Sequence, residues 1–572
     1  MNPNLKIFFG LIGGLAMFLY GMNGMSESLQ KVAGAKMKKI LAMLTKNAVL
    51  GAIAGCLVTS VLQSSSATTV MVIGFVSAGL MTLPQGISVI FGANIGTTMT
   101  AQLMAFKLSN YIYPIIFIGF LMNFLAKTEK NKNIGLVIFN FGLLFEGIEI
   151  MGKVMKPLAT SPVFVDLMGS VSHNPILGLL VGMCMTLVVQ SSSATIAVLQ
   201  NFASQAGPNG GSIIGLTGAI PILLGDNIGT TVTALLACIG QSKNAKRTAF
   251  AHSIFNISGS IVFLCIIPIF AHFVTMISPK GAELDIISRQ IANAHTTFNI
   301  VCTLVWLPLI HVMVKIVKFI VRGEDEVAPG EFEPRYLDTR VLNQPAAAMY
   351  LISQELNHLS DKAKVMLDQL QDIVTGESDA AEQNEYAVEQ EGVKSLQGRI
   401  SEYITSLFSE GSLTKEQTEQ TAGLLIVSDH INRMADRCKE IYGYTQKAAE
   451  SGLKLSSQAK VELADCMDVN KNMFSQAMTA VRNGDKAMAM KLQDERKTLH
   501  EMQKNCYRNH FDRVQNELCD PAFTTNYAAI LYSMDRMADN CVSISEEANT
   551  RAAFVNLDKP AATDEAPKKE GK

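Results

Sequence analysis

Apolar runs fill the first 320 residues, and they are interrupted by Gly, Pro and hydroxyl side chains instead of by charge. Residues 47–106 contain no Asp, Glu, Lys or Arg, and residues 174–239 contain one, Asp226. A water-soluble fold does not leave so long a stretch uncharged, because its loops and outer faces meet water. Stretches of this kind predict membrane helices. Spans are expected near 5–25, 84–106, 111–126, 134–151, 212–239, 249–277 and 290–321, with two further apolar segments at 47–80 and 174–206. The run from Ile7 to Met22 lacks a small-residue cleavage site and reads as a retained first span. Beyond Arg322 the pattern changes. A polar linker, 323–345, leads into amphipathic repeats such as Leu351, Leu356, Leu359, Leu367 and Leu370, which predict a helical bundle over 346–552. The tail, 553–572, is expected to be disordered.

The membrane half repeats itself. Gln63-Ser64-Ser65-Ser66-Ala67-Thr68 returns as Gln190-Ser191-Ser192-Ser193-Ala194-Thr195, offset by 127. Gly92-Ala93-Asn94-Ile95-Gly96-Thr97-Thr98 returns as Gly225-Asp226-Asn227-Ile228-Gly229-Thr230-Thr231, offset by 133. Upstream, the helix ending Phe18-Leu19-Tyr20-Gly21-Met22 pairs with Leu144-Phe145-Glu146-Gly147-Ile148, offset by 126. The repeats are read as about 5–126 and 134–277. If 47–80 and 174–206 each enter and leave on one side, alternate loops separate into a group with eleven Lys and Arg and a group with six. The richer group should be cytoplasmic. This places the N-terminus outside and residues after Arg322 inside, and span 84–106 then runs opposite to its counterpart 212–239. The expected fold class is therefore all-α: a polytopic membrane protein with inverted repeats and two re-entrant helical hairpins, followed by a cytoplasmic bundle.

Each hairpin is centred on its serines. A helix over 47–62 spans roughly 24 Å, short of the ~30 Å hydrocarbon core, and the turn after it is polar but uncharged. Ser and Gln side chains can satisfy a turn within the membrane. Two half-helices meeting there leave N-terminal ends that favour an anion and C-terminal carbonyls that favour a cation. The paired glycines of GANIGTT and GDNIGTT are expected to unwind their helices locally and expose oxygens, the ligand type a hard cation needs. Asp226 stands alone in its stretch and is read as a cation ligand. A third repeat, Ala251-His252-Ser253-Ile254-Phe255-Asn256 and Ala294-His295-Thr296-Thr297-Phe298-Asn299, reads first as core packing, with a site lined by Asn256 and Asn299 as the alternative. Glu146 and Glu149 receive no role.

These motifs resemble the sodium/phosphate cotransporter family, the type II class, in its bacterial form with a C-terminal PhoU-like domain. The resemblance covers about residues 5–320 and 340–552. It implies a sodium-coupled symporter of inorganic phosphate working by alternating access, in the inner membrane. As implied site residues it gives Gln63, Ser64, Ser65, Ser66, Gln190, Ser191, Ser192 and Ser193, with Asn94, Thr97, Thr98, Asn227, Thr230 and Thr231 as neighbours; Thr68, Thr195 and Asp226 complete the candidate substrate- and ion-binding set. Neither motif region holds a Lys or Arg. An unpaired phosphate dianion would be prohibitive there, so co-bound sodium is the expected counter-charge.

In the soluble half, Asn432-Arg433-Met434-Ala435-Asp436 returns as Asp535-Arg536-Met537-Ala538-Asp539, offset by 103, which suggests two three-helix halves. The PhoU resemblance implies a divalent metal at acid-x-x-x-acid positions, here Asp535 and Asp539, while Asn432 breaks the first copy. It also implies a regulatory role, with a cytosolic partner or homo-oligomer. A net charge of −2 with no basic tract excludes a nucleic-acid partner. The sequence has no nucleophile–base pair, P-loop or catalytic metal motif, so an enzyme is not expected. The ten cysteines form no CxxC and suit a reducing compartment. An anion channel, a carrier of another oxyanion and a membrane-tethered phosphate sensor are the competing classes.

Overall fold

A computed structural model describes residues 3–41, 43, 47–106, 108–157, 161–323, 332–410, 413–453, 455–548 and 554. Among the described residues every regular element is helical. The chain divides into two compact units, Met1–Asp325 and Glu326–Asn556.

The first unit opens with α1 (Pro3–Leu41), which runs well past the expected span 5–25. Two short helices, α2 (Ala48–Leu62) and α3 (Ser65–Ser77), follow, and then α4 (Leu83–Met104) and α5 (Ile112–Leu125). The second repeat begins at α6 (Glu129–Met155). Next comes α7 (Pro162–His173), which the hydropathy pattern did not predict; it meets α8 (Pro175–Val189) at a bend of 112°. Asn174 makes that corner, capping α8 through its side chain just before Pro175. Then come α9 (Ser192–Ala203) and α10 (Gly215–Ala237). The expected span 249–277 is two helices, α11 (Lys243–Cys265) and α12 (Ile267–Ile277), parted at Ile266 ahead of Pro268. The expected span 290–321 is likewise α13 (Glu283–Trp306) followed by α14 (Ile310–Ile320), turned by 87°. Among the described residues four helices are long and apolar enough to cross a membrane, or up to six if each bent pair is one span.

Inversion is written into one helix pair. In α1 and α6, Gly10 approaches Val154, Gly14 approaches Met151, Gly21 approaches Leu144 and Gly24 approaches Asn140, so the two helices run antiparallel. Gly21 packs on the backbone of Asn140 and Leu144, and Gly147 packs on that of Gly14 and Phe18. Either contact becomes the other when 126 is added to its first member and subtracted from its second. A pseudo-two-fold axis therefore relates the start of the repeats.

The hairpins follow from the same kind of reading. Ala52 meets Gly92 and Cys56 meets Gly96, so α2 and α4 run parallel. The chain must return between them, and α3 is the return. In the second repeat Leu179 meets Gly225 and Met183 meets Gly229, giving parallel α8 and α10 with α9 between. A Cβ on Gly92 would lie 1.7 Å from the carbonyl oxygen of Ala52, and one on Gly225 would lie 1.9 Å from that of Leu179. These glycines bring backbones together. They do not unwind the helix: α4 and α10 continue through GANIGTT and GDNIGTT, which corrects the expected interruption. Behind the hairpins a continuous apolar core holds the unit together, including Phe91 stacked on Phe255 at 4.9 Å.

The second unit contains α15 (Pro345–Thr375), α16 (Ala380–Glu410), α17 (Lys415–Glu450), α18 (Ser457–Asn483), α19 (Lys486–Gln515) and α20 (Thr524–Glu546). Each half begins with a long helix closed by a left-handed glycine, Gly376 at φ 72° and Gly484 at φ 63°. The two copies of the RMAD repeat lie on α17 and α20, which pack together through Cys541 against Met434 and His430 bonded to Asn540. Part of the expected linker belongs to this unit: Asp338 opens a 3-10 turn over Thr339–Val341, and its carbonyl accepts from the Tyr403 hydroxyl at 2.8 Å. Residues 324–331 of the linker lie outside the described residues, as does the tail except for Phe554, whose amide donates to the Val481 carbonyl at 3.1 Å.

Candidate functional site

The two QSSSAT turns have the same backbone. α2 ends on Gln63 in the left-handed region (φ 53°, ψ 23°), and α8 ends on Gln190 in the same conformation (φ 53°, ψ 26°). A non-glycine residue there is uncommon and costs about 1 kcal/mol or more. The serine after each glutamine offsets that cost. Ser64 (φ −148°, ψ 107°) and Ser191 (φ −145°, ψ 106°) are extended N-caps whose hydroxyls accept from the amides of Ala67 at 3.1 Å and Ala194 at 3.2 Å. The four-residue Q-S-S-S thus turns the chain tightly, and the opening amides of α3 and α9 have no carbonyl partner in their own helices.

The two tips meet. Gln63, Ser64, Ser65 and Ser66 share one cavity, about 260 Å³, with Gln190, Ser191, Ser192 and Ser193. Thr97 of α4 also lines it, as do Asn23 and Ser26 of α1. Sequence reasoning missed those two, which lie just past the apolar run ending at Met22, and Ser26 donates to the Leu62 carbonyl at the first tip at 2.6 Å. Among the described residues the lining carries hydroxyls, amides and two helix N-termini but no ionisable side chain. Such a lining offers donors to an anion and carbonyl and hydroxyl oxygens to a cation.

Around this cavity the remaining expected residues take distinct positions. Thr68 joins the arms of the first hairpin through Thr59 at 2.8 Å, and Thr195 joins those of the second through Thr186 at 3.2 Å. Asp226 sits behind the second hairpin, fully buried, where Thr186 donates to its Oδ1 at 2.5 Å and its Oδ2 has no partner. Ala93 holds the equivalent place in the first repeat. Asn94 and Asn227 do not line the cavity; they bond to His252 at 3.0 Å and His295 at 3.2 Å. The hydroxyls of Thr98, Thr230 and Thr231 bond back to carbonyls of their own helices, those of Ile95, Asp226 and Ile228. The third repeat is core: Asn256 and Asn299 donate to the carbonyls of His252 and His295, both at 3.0 Å, and neither lines the cavity. Two further threonines were missed. Thr100 donates to Gln63 Oε1 at 2.7 Å, whereas its counterpart Thr233 crosses to Ser66 of the other repeat at 3.1 Å. Extending the motif by two residues, to GTTMT and GTTVT, would have found both. Glu146 does have a partner, Tyr113, and Glu149 bonds to Ser109.

The family described as Na+/Pi-cotransporter matches residues 17–153 and again residues 150–298. A Bacillus subtilis protein named "Uncharacterized protein YqeW" is 33% identical over 307 residues, 54% of this chain and 96% of that one. The chain belongs to the Na+/Pi-cotransporter family. Membership carries with it the coarse activity, movement of phosphate across a membrane by a multi-pass protein. The PhoU domain matches residues 464–548, the α18–α20 half of the second unit. An Escherichia coli protein of the same architecture, named "Putative inorganic phosphate export protein YjbB", is 23% identical over 92% of this chain and 94% of its own length. The human "Sodium-dependent phosphate transport protein 2B" is 36% identical over 97 residues, 17% of this chain and 14% of that one. No solved structure matches the chain.

The metal expected at Asp535 and Asp539 does not fit the residues around them. Arg496 lies between the two carboxylates, with Nε on Asp539 at 2.7 Å and Nη2 on Asp535 at 2.9 Å. His500 adds a contact to Asp535 at 3.1 Å, and Arg536 pairs with Asp539 at 2.8 Å. The acid-x-x-x-acid spacing does put both acids on one helix face, but a guanidinium fork neutralises them there. Among the described residues no group of three or more His, Cys, Asp or Glu is placed to hold a metal ion.

Proposed function

We propose that the protein is a secondary active transporter that couples sodium influx to phosphate uptake, with the substrate held where the two QSSS tips meet. The observation that carries this reading is the convergence of both tips on one cavity without a cationic side chain. The amides opening α3 and α9 and the serine hydroxyls would hold phosphate oxygens. Their partial charges do not balance a dianion, so sodium ions supply the difference and transport is obligatorily coupled. Asp226, with Thr186 and Thr195, is the cation-binding group, because one of its carboxylate oxygens is buried without a donor. The mirror-related repeats provide two related conformations for alternating access.

The membrane domain is assigned to 1–322, with repeats about 5–126 and 134–277, and the PhoU-like domain to 346–552. The positive-inside count puts the N-terminus outside and the C-terminal domain in the cytosol of an inner-membrane protein. That domain is the regulatory part, acting through a cytosolic partner or self-association.

Radiolabelled phosphate uptake into proteoliposomes tests the coupling. Uptake should require an inward sodium gradient and vanish when potassium replaces sodium; equal uptake in potassium would refute it. A second reading, export, is favoured by the name of the relative that matches over nearly the whole chain. Loading phosphate inside the vesicles and imposing the same inward sodium gradient separates the two. Sodium-stimulated efflux would favour export, and sodium-stimulated uptake would favour the symporter.

A further inference from the structure

The pseudo-two-fold that relates the repeats also relates α11 to α13, because His252 bonds to Asn94 as His295 bonds to Asn227. Every position near one end of the membrane unit therefore has a counterpart near the other end. At one end Ile73, Ala234, Cys238, Ala245 and Ala249 form a separate apolar cluster, each at most 6% exposed. Their counterparts, reached by the offsets of 127, 133 and 43, are Gln200, Ala101, Ala105, Ser288 and Ala292. At that second end Ala101 and Ala292 stay buried, but the place beside them is not packed shut. It opens into a cavity of about 470 Å³ lined by Gln200, Ala105 and Ser288 together with Asn201 and Ser204.

Gln200 makes the difference. It stands where the first repeat has Ile73, and its amide nitrogen bridges the carbonyls of Ala101 and Ser288, both at 3.1 Å. Its Oε1 is buried without a partner. Ser204 and Ser288 bond to each other beside it at 2.9 Å. The hydroxyls and amides that line this cavity suit water or a hydrated cation, whereas the side chains of the Ile73 cluster are apolar and exclude both. Lys153, Lys156, Glu149 and Asp285 also line this cavity, mixing both signs of charge.

We propose that the Gln200 cavity is the hydrated vestibule by which small ions enter the membrane unit, and that the Ile73 cluster is the closed gate at the opposite end. This deepens the transport reading above and rests on it for what passes through. With the orientation given there, the vestibule faces outward and the gate faces the cytosol. The resting asymmetry is encoded by side chains: glutamine and serine keep one end wet, while isoleucine and alanine seal the other.

Thiol labelling tests the geometry whether or not phosphate is carried. Native Cys238 lies in the gate, and its counterpart is Ala105 in the vestibule. The full-length Ala105→Cys protein is treated in detergent, where both faces meet a charged methanethiosulfonate, and each site is read by peptide mass spectrometry. The thiol introduced by Ala105→Cys should label more than about tenfold faster than Cys238, because a packed side chain reacts only during opening. Equal rates, or faster labelling of Cys238, would overturn the assignment. Ile73→Gln, which copies the vestibule residue into the gate, should raise the Cys238 rate. A folded Ile73→Gln protein with an unchanged rate would also overturn it, and sodium-dependent uptake failing in either protein would bear on the transport reading alone.

Discussion

Laid over one another, the two hairpin repeats agree in backbone and differ in a few side chains. The tips share φ and ψ within a few degrees, both first serines cap in the same way, and the glycine contacts fall at matching positions. Yet Asp226 stands where the first repeat has Ala93, Gln200 stands where it has Ile73, and Thr233 crosses between repeats where its counterpart Thr100 stays within one. The shared features are those that make a tight turn and a close helix crossing. The differing ones change charge, hydration and coupling. Symmetry builds the cavity, and departures from it give the two ends and the two halves separate tasks.

The largest expected effect breaks the shared part. Gly92→Val and Gly225→Val each drive a side chain into a facing backbone carbonyl, which should cost more than about 4 kcal/mol. Neither protein should give a monodisperse peak in size-exclusion chromatography. A well-behaved Gly225→Val with a lost Gly92→Val would show that the two crossings are not equivalent.

Next comes the asymmetric charge. Asp226→Asn should weaken sodium activation of transport by about tenfold or more, equivalent to about 1.4 kcal/mol, while Ala93→Asn, at the counterpart, should leave the sodium dependence within about twofold. Sodium titration of phosphate uptake reads both. Smaller still are the caps. Ser64→Ala and Ser191→Ala each remove one N-cap acceptor, so each should lower stability by about 1 kcal/mol, and by similar amounts. Thermal melts in detergent compare them.

The smallest effect lies in the soluble unit. Wild-type protein should show no shift in melting temperature with manganese, magnesium or zinc, since Arg496 occupies the face of Asp535 and Asp539. Arg496→Gln should cost under about 1 kcal/mol for these partly exposed pairs and expose the two acids to added metal. A metal-dependent shift in the wild type would restore the site implied by the PhoU resemblance.

Much of this arrangement was legible in the chain itself. Uncharged runs marked the membrane unit, and the doubled QSSSAT and GxNIGTT placed the hairpins, because internal symmetry leaves a record in the spacing of residues. The role of the glycines was misread. Two glycines four apart serve helix unwinding or helix approach equally well in sequence, and only the facing Ala52 and Leu179 backbones decide for approach. Bends at Asn174 and after Trp306 were missed because hydropathy reads composition along the chain and not direction. Asn23 and Ser26 were overlooked because their counterparts at the offset of 126, Glu149 and Gly152, do not match them, and Arg496 because it is 39 residues from Asp535 in sequence.

Phosphate binding to Ser65→Ala, Ser192→Ala and the double variant, measured with radiolabel in saturating sodium, tests most directly whether the tips form one site. If they do, each single change removes most of the binding and the double change adds little more, the non-additivity expected of groups acting on one ligand. Full binding in either single variant, or losses that simply add, would mean that the two serine turns do not share a substrate.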